Sequence, residues 1–174
     1  MCDAKIAFDL FRGNYPPKTL DHTLVRNPGE LELISAEDGR RSWQMGPGGP
    51  DDVPDPPEGL QDGQDVNLWV IDSDNVPYAL ECGEFGKRSE TGRLKHSNLT
   101  GGGDAHCGGE LVLISHNVIA LNGCSGRYGP RSEQELSAVA NAFRASGYGV
   151  WQYGWDAGTN RPLTFALGTP VWVE

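Results

Sequence analysis

The polar residues best suited to chemistry lie close together in the chain, between residues 95 and 130, among many glycines. A histidine stands there between a lysine and a serine, shortly before a glycine pair. Histidine can act as a general base near neutral pH, and glycines allow backbone amides to approach and hold an anion. We therefore predict that His96 is catalytic and that four neighbours contact the substrate: Lys95, Ser97, Gly101 and Gly102.

A carboxylate and a second loop would complete this site. Glu110 follows two glycines where a strand is predicted to begin, and its carboxylate could stabilise an oxocarbenium-like centre or orient a ribose. Arg127 and Tyr128 lie where a loop enters the best-defined helix, and an arginine beside a helix N-terminus is suited to an anion. We predict catalytic roles for Glu110 and Tyr128, and substrate contacts for Ser125 and Arg127.

Each of these residues also has a structural interpretation. His96 could hydrogen-bond to backbone and fix the turn, Glu110 could be a surface residue, and Tyr128 could pack in the core with its hydroxyl bonded to backbone. A dyad of His96 and Ser97 is disfavoured if both lie on a strand, because neighbouring strand residues point to opposite faces. The sequence leaves the catalytic and structural interpretations open.

Metal and thiol chemistry receive less support. Asp104, His106, Cys107 and Cys124 could ligate a metal, but their spacing matches no zinc signature, so no metal site is predicted. Cys107 could be a thiol nucleophile if a histidine lay close enough to lower its pKa. The four cysteines include no CxxC pair, which indicates free thiols in a reducing compartment.

Length and charge limit the classes of function. The 174 residues fit a single domain spanning residues 1–174, and 24 acidic residues against 14 basic ones give a formal charge of −10. Such a surface repels phosphate backbones and argues against general nucleic-acid binding, although a local basic patch could override it. The sequence shows neither a membrane-length apolar run nor a secretory signal. We predict a soluble protein with no membrane partner, cytoplasmic as synthesised or delivered by a secretion system that needs no signal peptide.

The composition favours a β-rich, turn-rich fold, because 24 glycines and 12 prolines accompany a hydrophobic fraction of only 37%. A capping box at Ser132 and a stop at Gly147 predict one main helix, at about 132–146. The predicted fold class is α+β, a mostly antiparallel sheet of hairpins that could close into a barrel. Residues 1–30 are expected to be irregular, and 46–65 to form an exposed, partly mobile, acidic Pro/Gly-rich loop. Apolar runs between turn residues predict strands at 31–34, 40–45, 66–71, 76–80, 110–115, 118–121, 150–153, 163–167 and 171–173.

Two local patterns could also mark a ligand site. The tetrapeptide at residues 10–13 resembles the first strand of ADP-ribosyltransferases, where an arginine contacts NAD, but the motif is short and an ordinary surface position is the favoured interpretation of Arg12. Trp151, Tyr153 and Trp155 alternate along the chain. On a strand they would share one face, either a core face or a stacking platform for sugars or bases.

Three segments resemble, in order, a pattern found in a known family. They are similar to HSSFLAGG…AAG…SGHYRP of the plant IQ-motif-containing (IQM) proteins, and to stretches of bacterial toxin- or effector-associated domains. The resemblance covers residues 30–147 as a family-like core and implies a shared fold, but no settled reaction. Arg127 replaces the family's histidine, and the chain has no IQ motif, so calmodulin binding is not expected. The three segments are Lys95-His96-Ser97-x-Leu99-x-Gly101-Gly102, Gly109-Glu110-Leu111 and Ser125-Gly126-Arg127-Tyr128-x-Pro130.

Two functional hypotheses follow. The first is a small effector- or toxin-like enzyme, a transferase or glycohydrolase that acts on a nucleotide-type or protein substrate by ADP-ribosyl transfer or NAD cleavage, with NAD as substrate. The alternative is a non-catalytic module that binds protein or carbohydrate through the 46–65 loop or an aromatic face, with the motif structural. In either case we predict that residues 95–97, 108–110 and 125–128 converge at one end of the sheet, in a cleft lined by His96, Glu110, Arg127 and Tyr128, because antiparallel pairing returns the chain to the same end.

Overall fold

A computed structural model describes residues 4–61 and 65–174 of the chain. Four α-helices and nine strands are defined within these ranges, together with two short 3-10 turns at His22–Leu24 and Pro28–Leu31. The helices are Ala4–Asn14 (α1), Glu84–Arg88 (α2), His96–Thr100 (α3) and Glu133–Ala145 (α4). The strands are Arg41–Ser42 (β1), Asn67–Ile71 (β2), Pro77–Leu80 (β3), Cys107–Ser115 (β4), Val118–Asn122 (β5), Gly149–Gln152 (β6), Trp155–Asp156 (β7), Arg161–Pro162 (β8) and Val171–Trp172 (β9).

Seven of the strands form one mostly antiparallel sheet, in the order β1-β3-β2-β4-β5-β6-β9. The exception is β5–β6, which are parallel because the chain crosses over between them through α4. Strands β1 and β9 are its two edges, so the sheet formed by the described residues is open, and the predicted barrel closure is not confirmed. The α+β class and the mostly antiparallel sheet are confirmed. Strands β7 and β8 form a separate ribbon.

One face of the sheet is covered by α1 and α4. Phe8 of α1 and Trp69 of β2 both pack against Phe143 of α4, with ring centroids 5.0 and 5.1 Å apart. Buried residues of β4 and β5, such as Leu111 and Ile119, complete this core. Helix α1 corrects the expectation that residues 1–30 are irregular. Its buried residues recur at helical spacing along one side, which is the packing that stabilises so short a helix.

The opposite face carries two smaller hydrophobic clusters. One contains Leu68 of β2 with Leu99 and Tyr128, and the other contains Val112 of β4. Glu110 lies between them, because it pairs with Leu68 and precedes Val112 by two residues on the same face of β4. A polar strip therefore separates two apolar regions on this side of the sheet.

Two of the predicted strands are wrong. Residues 31–34 do not pair in the sheet; they follow the Pro28–Leu31 turn and lie beside α3, where the Ile34 amide donates to the Asn98 carbonyl at 3.0 Å. Residues 163–167 form a turn instead, in which the Gly168 amide donates to the Thr164 carbonyl at 2.8 Å. Alternating apolar residues predicted strands at both places, but neither segment enters the seven-stranded sheet. The Leu163 amide continues the β7–β8 ribbon by one hydrogen bond, to the Gly154 carbonyl at 3.0 Å, before the chain turns.

Other predictions hold in part. The hairpin β4–β5, strands β2 and β3, and helix α4 lie where the sequence places them. The Ser132 hydroxyl accepts from the Glu135 amide at 3.0 Å, and Gly147 has a left-handed φ of 98° at the helix end. The predicted strand 40–45 is reduced to β1, and the short helix α2 was not predicted. The described part of the 46–65 loop has no regular structure, and residues 62–64 lie outside the described residues.

Candidate functional site

The three predicted segments converge, as expected, at the end of the sheet where β4 begins. The His96 ring nitrogen Nε2 lies 2.8 Å from the Gly109 carbonyl oxygen, and the Gly108 amide donates to the Tyr128 carbonyl at 2.9 Å. A Cβ added at Gly108 would lie 3.2 Å from the His96 ring and 3.3 Å from the Ser125 hydroxyl. The close approach of these side chains explains the glycine at position 108. The motif is one physical unit.

His96 lies on α3 and is buried, with only 8% of its surface exposed. Because a carbonyl oxygen can only accept, Nε2 carries the proton and donates to Gly109. Burial lowers the pKa of His96 to about 4, against the opposing hydrogen bond to Gly109 and with a smaller contribution from the charge of Lys95. The ring is therefore neutral at pH 7. Its low pKa makes it a weak general base there, and Nε2 is occupied by the bond to Gly109.

Ser97 follows His96 on a helix, not on a strand. Its side chain is completely buried, and its hydroxyl has no hydrogen-bond partner among the described residues. A dyad of His96 and Ser97 remains disfavoured, because neighbouring residues of a helix do not face each other. The reason is thus helical geometry and not the alternation of side chains along a strand. The structure offers no physical account of the unbonded hydroxyl.

Gly101 and Gly102 end α3. Both have left-handed φ values, of 63° and 86°. The Gly102 amide donates to the Ser97 carbonyl at 3.1 Å, and a Cβ at Gly102 would lie 2.9 Å from the Leu31 side chain. These glycines therefore stop the helix and admit a close neighbour. The Gly102 amide, which was predicted to face a substrate, is used within the turn.

Tyr128 has no exposed surface. Its hydroxyl donates to the Gly103 carbonyl at 2.6 Å and lies 3.0 Å from the Thr100 hydroxyl. Burial raises the pKa of Tyr128 above its ordinary value. The Ser125 hydroxyl accepts from the Tyr128 amide at 3.1 Å and shapes the turn that delivers this side chain to the core. Both residues join the loop before α4 to α3.

Glu110 is the most accessible of the three predicted catalytic residues, since it is only half-buried. One of its carboxylate oxygens accepts from the Asn122 side-chain amide at 2.9 Å. The side-chain oxygen Oδ1 of Asn122 in turn accepts from the backbone amides of Glu110 and Cys124, at 3.2 and 2.9 Å. The sequence interpretation missed Asn122. A polar residue that ends an apolar strand directly before a glycine was the available signal.

A buried ion pair next to the start of β4 supports the motif, and the sequence interpretation missed this pair as well. Lys18 donates to the Glu135 carboxylate and to the His106 carbonyl, next to the first residue of β4. The two charged side chains are 7% and 5% exposed. The other Glu135 oxygen accepts from the Arg131 amide at 2.7 Å, so the predicted capping box is completed at Arg131 instead of Ser132.

The remaining chemical candidates lose support. Arg12 lies on α1, not on a strand, and donates to the carbonyls of Asp72 and Asn75 at 2.7 and 3.1 Å, so it fixes the β2–β3 turn. Cys107 is buried, and burial raises its pKa to about 12, which disfavours a thiolate nucleophile. The Cys124 thiol donates to the Leu163 carbonyl at 3.5 Å.

No three His, Cys, Asp or Glu residues in the described ranges are grouped so as to hold a metal ion. None of the helices in these ranges is long and apolar enough to cross a membrane. In the aromatic row, Trp151 and Tyr153 are buried in the core, while Trp155 is half-buried in the β7–β8 ribbon. The core interpretation of that row is therefore confirmed for its first two members.

The cavity beside the motif is formed by its outward-facing neighbours. It has two adjoining parts, of about 280 and 420 Å³, and we call the whole the basic groove. Lys95 and Asn27 line both parts, Phe85 lines the first, and Arg127 lines the second. Of the four residues predicted to line one cleft, only Arg127 lines this groove. His96, Glu110 and Tyr128 do not line it. Its full lining is Thr23, Leu24, Arg26, Asn27, Gly29, Glu30, Glu32, Phe85, Arg88, Ser89, Glu90, Thr91, Arg93, Lys95, Asn98 and Arg127.

Five cationic and three acidic side chains line the basic groove, in a chain whose net charge is −10. Arg88, Arg93 and Arg127 each have an acidic neighbour, at 2.9, 3.9 and 3.6 Å. The Arg26 guanidinium and the Lys95 ammonium make no ion pair or hydrogen bond within the described part of the chain. The excess of positive charge therefore lies in the part of about 420 Å³, where Arg26, Lys95 and Arg127 accompany a single carboxylate, that of Glu30.

Comparison with known proteins adds no relative. No family model, curated protein or solved structure matches this chain. The resemblance to the IQM family therefore stays a prediction, and the site must be interpreted from its own geometry.

Proposed function

We propose that this protein is a non-catalytic binding module in which the glycine-framed motif is structural and the ligand binds in the basic groove. The observation that carries the proposal is that residues adjacent in the chain have different environments. His96 and Tyr128 are buried and bonded to backbone, while Lys95 and Arg127 line the groove beside them. Binding sites are typically concave and contain a few convergent polar groups, as this groove does.

The groove lies elsewhere than the sequence suggested for a binding module. Neither the described part of the 46–65 loop nor the aromatic row contributes to it. It is built instead from residues 23–32, from α2 and the chain after it as far as Asn98 of α3, and from the loop before α4. Its charge favours a nucleotide-type or other anionic ligand over a neutral carbohydrate.

A ligand-observed NMR screen tests this proposal. Small anionic, neutral and cationic compounds are screened against the wild type and against a double variant, Arg26→Gln/Lys95→Gln. We expect some compounds to show the signals of a bound ligand with the wild type and the signals of the free compound with the double variant. A screen without hits, or hits that the double variant binds equally well, would contradict binding in the groove.

An enzymatic function is the second candidate, and Glu110 is the residue that favours it. Its carboxylate is half-buried between two apolar clusters and is held in place by Asn122. Incubation with NAD and a cell lysate, followed by measurement of nicotinamide release and of labelled protein, tests ADP-ribosyl transfer and NAD cleavage. Turnover that disappears in Glu110→Gln, in a variant that melts like the wild type, would favour the enzyme over the binding module.

A further inference from the structure

We infer that the basic groove binds a phosphorylated sugar, either a free sugar phosphate or the sugar phosphate of a mononucleotide. The inference rests on the proposed binding function and names its ligand. The phosphate would lie in the part of the groove lined by Arg26, Lys95 and Arg127. The sugar would lie along Glu30, which lines both parts of the groove.

The phosphate end is prepared by the geometry of Arg127. One of its terminal nitrogens donates to the Leu24 carbonyl at 3.0 Å and lies 3.6 Å from a Glu30 carboxylate oxygen. This side chain is only 18% exposed, so it is held in place before a ligand arrives. Its other N–H groups make no hydrogen bond within the described residues. A fixed guanidinium with unused donors suits a phosphate, because little conformational entropy is lost on binding.

Two cations without partners complete the phosphate end. Lys95 and Arg26 line the same part of the groove as Arg127. A phosphate monoester carries up to two negative charges at pH 7, and three cationic groups around it supply charge-assisted hydrogen bonds. A carboxylate ligand would use fewer of these donors.

The carboxylate of Glu30, which lines both parts of the groove, selects the rest of the ligand. Glu30 is 8% exposed, and one of its oxygens accepts from the Arg26 amide at 3.2 Å and interacts with Arg127. A carboxylate has further acceptor capacity, and it repels a second anion while accepting hydrogen bonds from hydroxyl groups. A ligand with one phosphate attached to a group that carries several hydroxyls, such as a sugar, matches this arrangement. The adjoining part, of about 280 Å³, is close to the lower size limit of small-molecule sites and is lined by Phe85.

The rest of the surface excludes a longer polyanion. The chain has a formal charge of −10, so a nucleic acid that extended beyond the groove would meet a predominantly acidic surface. A small ligand experiences mainly the cations within reach of it. The positive groove in a negative protein therefore favours one phosphate on a small molecule over a phosphate chain.

Isothermal titration calorimetry with four probes tests the inference: ribose 5-phosphate, adenosine monophosphate, ribose and inorganic phosphate. We expect ribose 5-phosphate or adenosine monophosphate to bind, inorganic phosphate to bind at least ten-fold more weakly, and ribose not to bind. Lys95→Gln and Arg127→Gln should each weaken binding at least ten-fold, because each removes a charge-assisted hydrogen bond to the phosphate. Binding of ribose 5-phosphate alone indicates a free sugar phosphate, and tighter binding of adenosine monophosphate indicates a mononucleotide.

Lys87→Gln is the matched control. Lys87 is an exposed lysine on α2 that does not line the groove, and its ammonium lies 3.8 Å from Glu84. It should bind the probes like the wild type. Equal affinity for inorganic phosphate and ribose 5-phosphate, an unchanged affinity in Lys95→Gln, or no binding of any phosphorylated probe would each overturn the inference. Groove-dependent hits of another chemistry in the NMR screen would then keep the binding function and reject only this ligand.

Discussion

The motif and the basic groove use adjacent residues for opposite purposes. His96 and Tyr128 turn inward and bond to backbone carbonyls, whereas their neighbours Lys95 and Arg127 line the groove. Residue types that look catalytic thus hold α3, β4 and the loop before α4 together. The charges beside them remain available to a ligand.

The energetic difference between the two regions follows from burial. Removing one partner of a buried hydrogen bond leaves the other unsatisfied, at a cost of about 1–3 kcal/mol. Removing a solvated cation that has no partner changes stability by at most about 0.5 kcal/mol. Substitutions in the motif should therefore act on folding, and substitutions in the groove should act on binding.

Gly109→Ala should produce the largest loss of stability. A Cβ at this position would lie 2.3 Å from the Asn122 carbonyl oxygen and 2.6 Å from the Trp69 ring, and neither the strand backbone nor a core tryptophan can move away easily. We expect a loss of about 3 kcal/mol in the free energy of unfolding, measured by urea denaturation. Gly126→Ala is the control, because a Cβ there meets no atom within 4 Å. Equal stabilities of the two variants would refute close packing of the motif.

The stability of the wild type should depend on the protonation of His96. The pKa of His96 is about 4 in the folded protein and about 6.5 when unfolded, so the unfolded chain binds the extra proton between these values. Stability from this residue is complete above pH 6.5 and is lost as the pH falls towards 4. The expected loss over that window is about 3 kcal/mol. The carboxylates Asp9, Asp21 and Asp156 have lowered pKa values, so they titrate below this window.

Urea unfolding at several pH values, with His96→Asn and His116→Asn, measures this dependence. His96→Asn should be less stable at pH 7, because it loses the bond to Gly109, and its stability should change much less between pH 6.5 and 4. His116 is exposed in the turn between β4 and β5, so His116→Asn should retain the wild-type profile. If the pH dependence of the unfolding free energy persists in His96→Asn, a group other than His96 is responsible for it.

Much of the sheet could be predicted because its signals are local. Strand β2, the hairpin β4–β5 and helix α4 each carry a dense apolar pattern bounded by turn or capping residues. Convergence of the motif then followed from antiparallel pairing alone. Helix α3 has five residues, too few to show a period, and it exists because Leu99 and its neighbours are buried.

The character of the site could not be predicted from residue types. The sequence does not reveal whether a histidine is buried, and burial is what turns His96 from a base into a structural donor. The pair of Lys18 and Glu135 joins residues 117 positions apart, and the basic groove combines three separate segments. Such contacts depend on the complete tertiary arrangement, which no short motif encodes.

Tyr128→Phe should have a moderate effect. It removes one hydroxyl with bonds to Gly103 and Thr100 but keeps the ring in the core. We expect a loss of about 1 kcal/mol, because the exposed Gly103 carbonyl can regain a bond from water. Tyr148→Phe is the control, since the Tyr148 hydroxyl has no hydrogen bond within the described residues. Differential scanning calorimetry should show a lower melting temperature for Tyr128→Phe only.

The smallest effects on stability are expected in the groove itself. Arg26→Gln and Lys95→Gln remove cations without partners, and their free energies of unfolding should stay within about 0.5 kcal/mol of the wild type. Arg127→Gln should lose slightly more, about 1 kcal/mol, because its guanidinium is bonded to Leu24 and lies beside Glu30. Urea denaturation at pH 7 measures all three. Lys95 is decisive because it precedes His96 directly: if Lys95→Gln destabilises the protein as much as His96→Asn, the two regions are one structural unit, and the groove loses its separate role in binding.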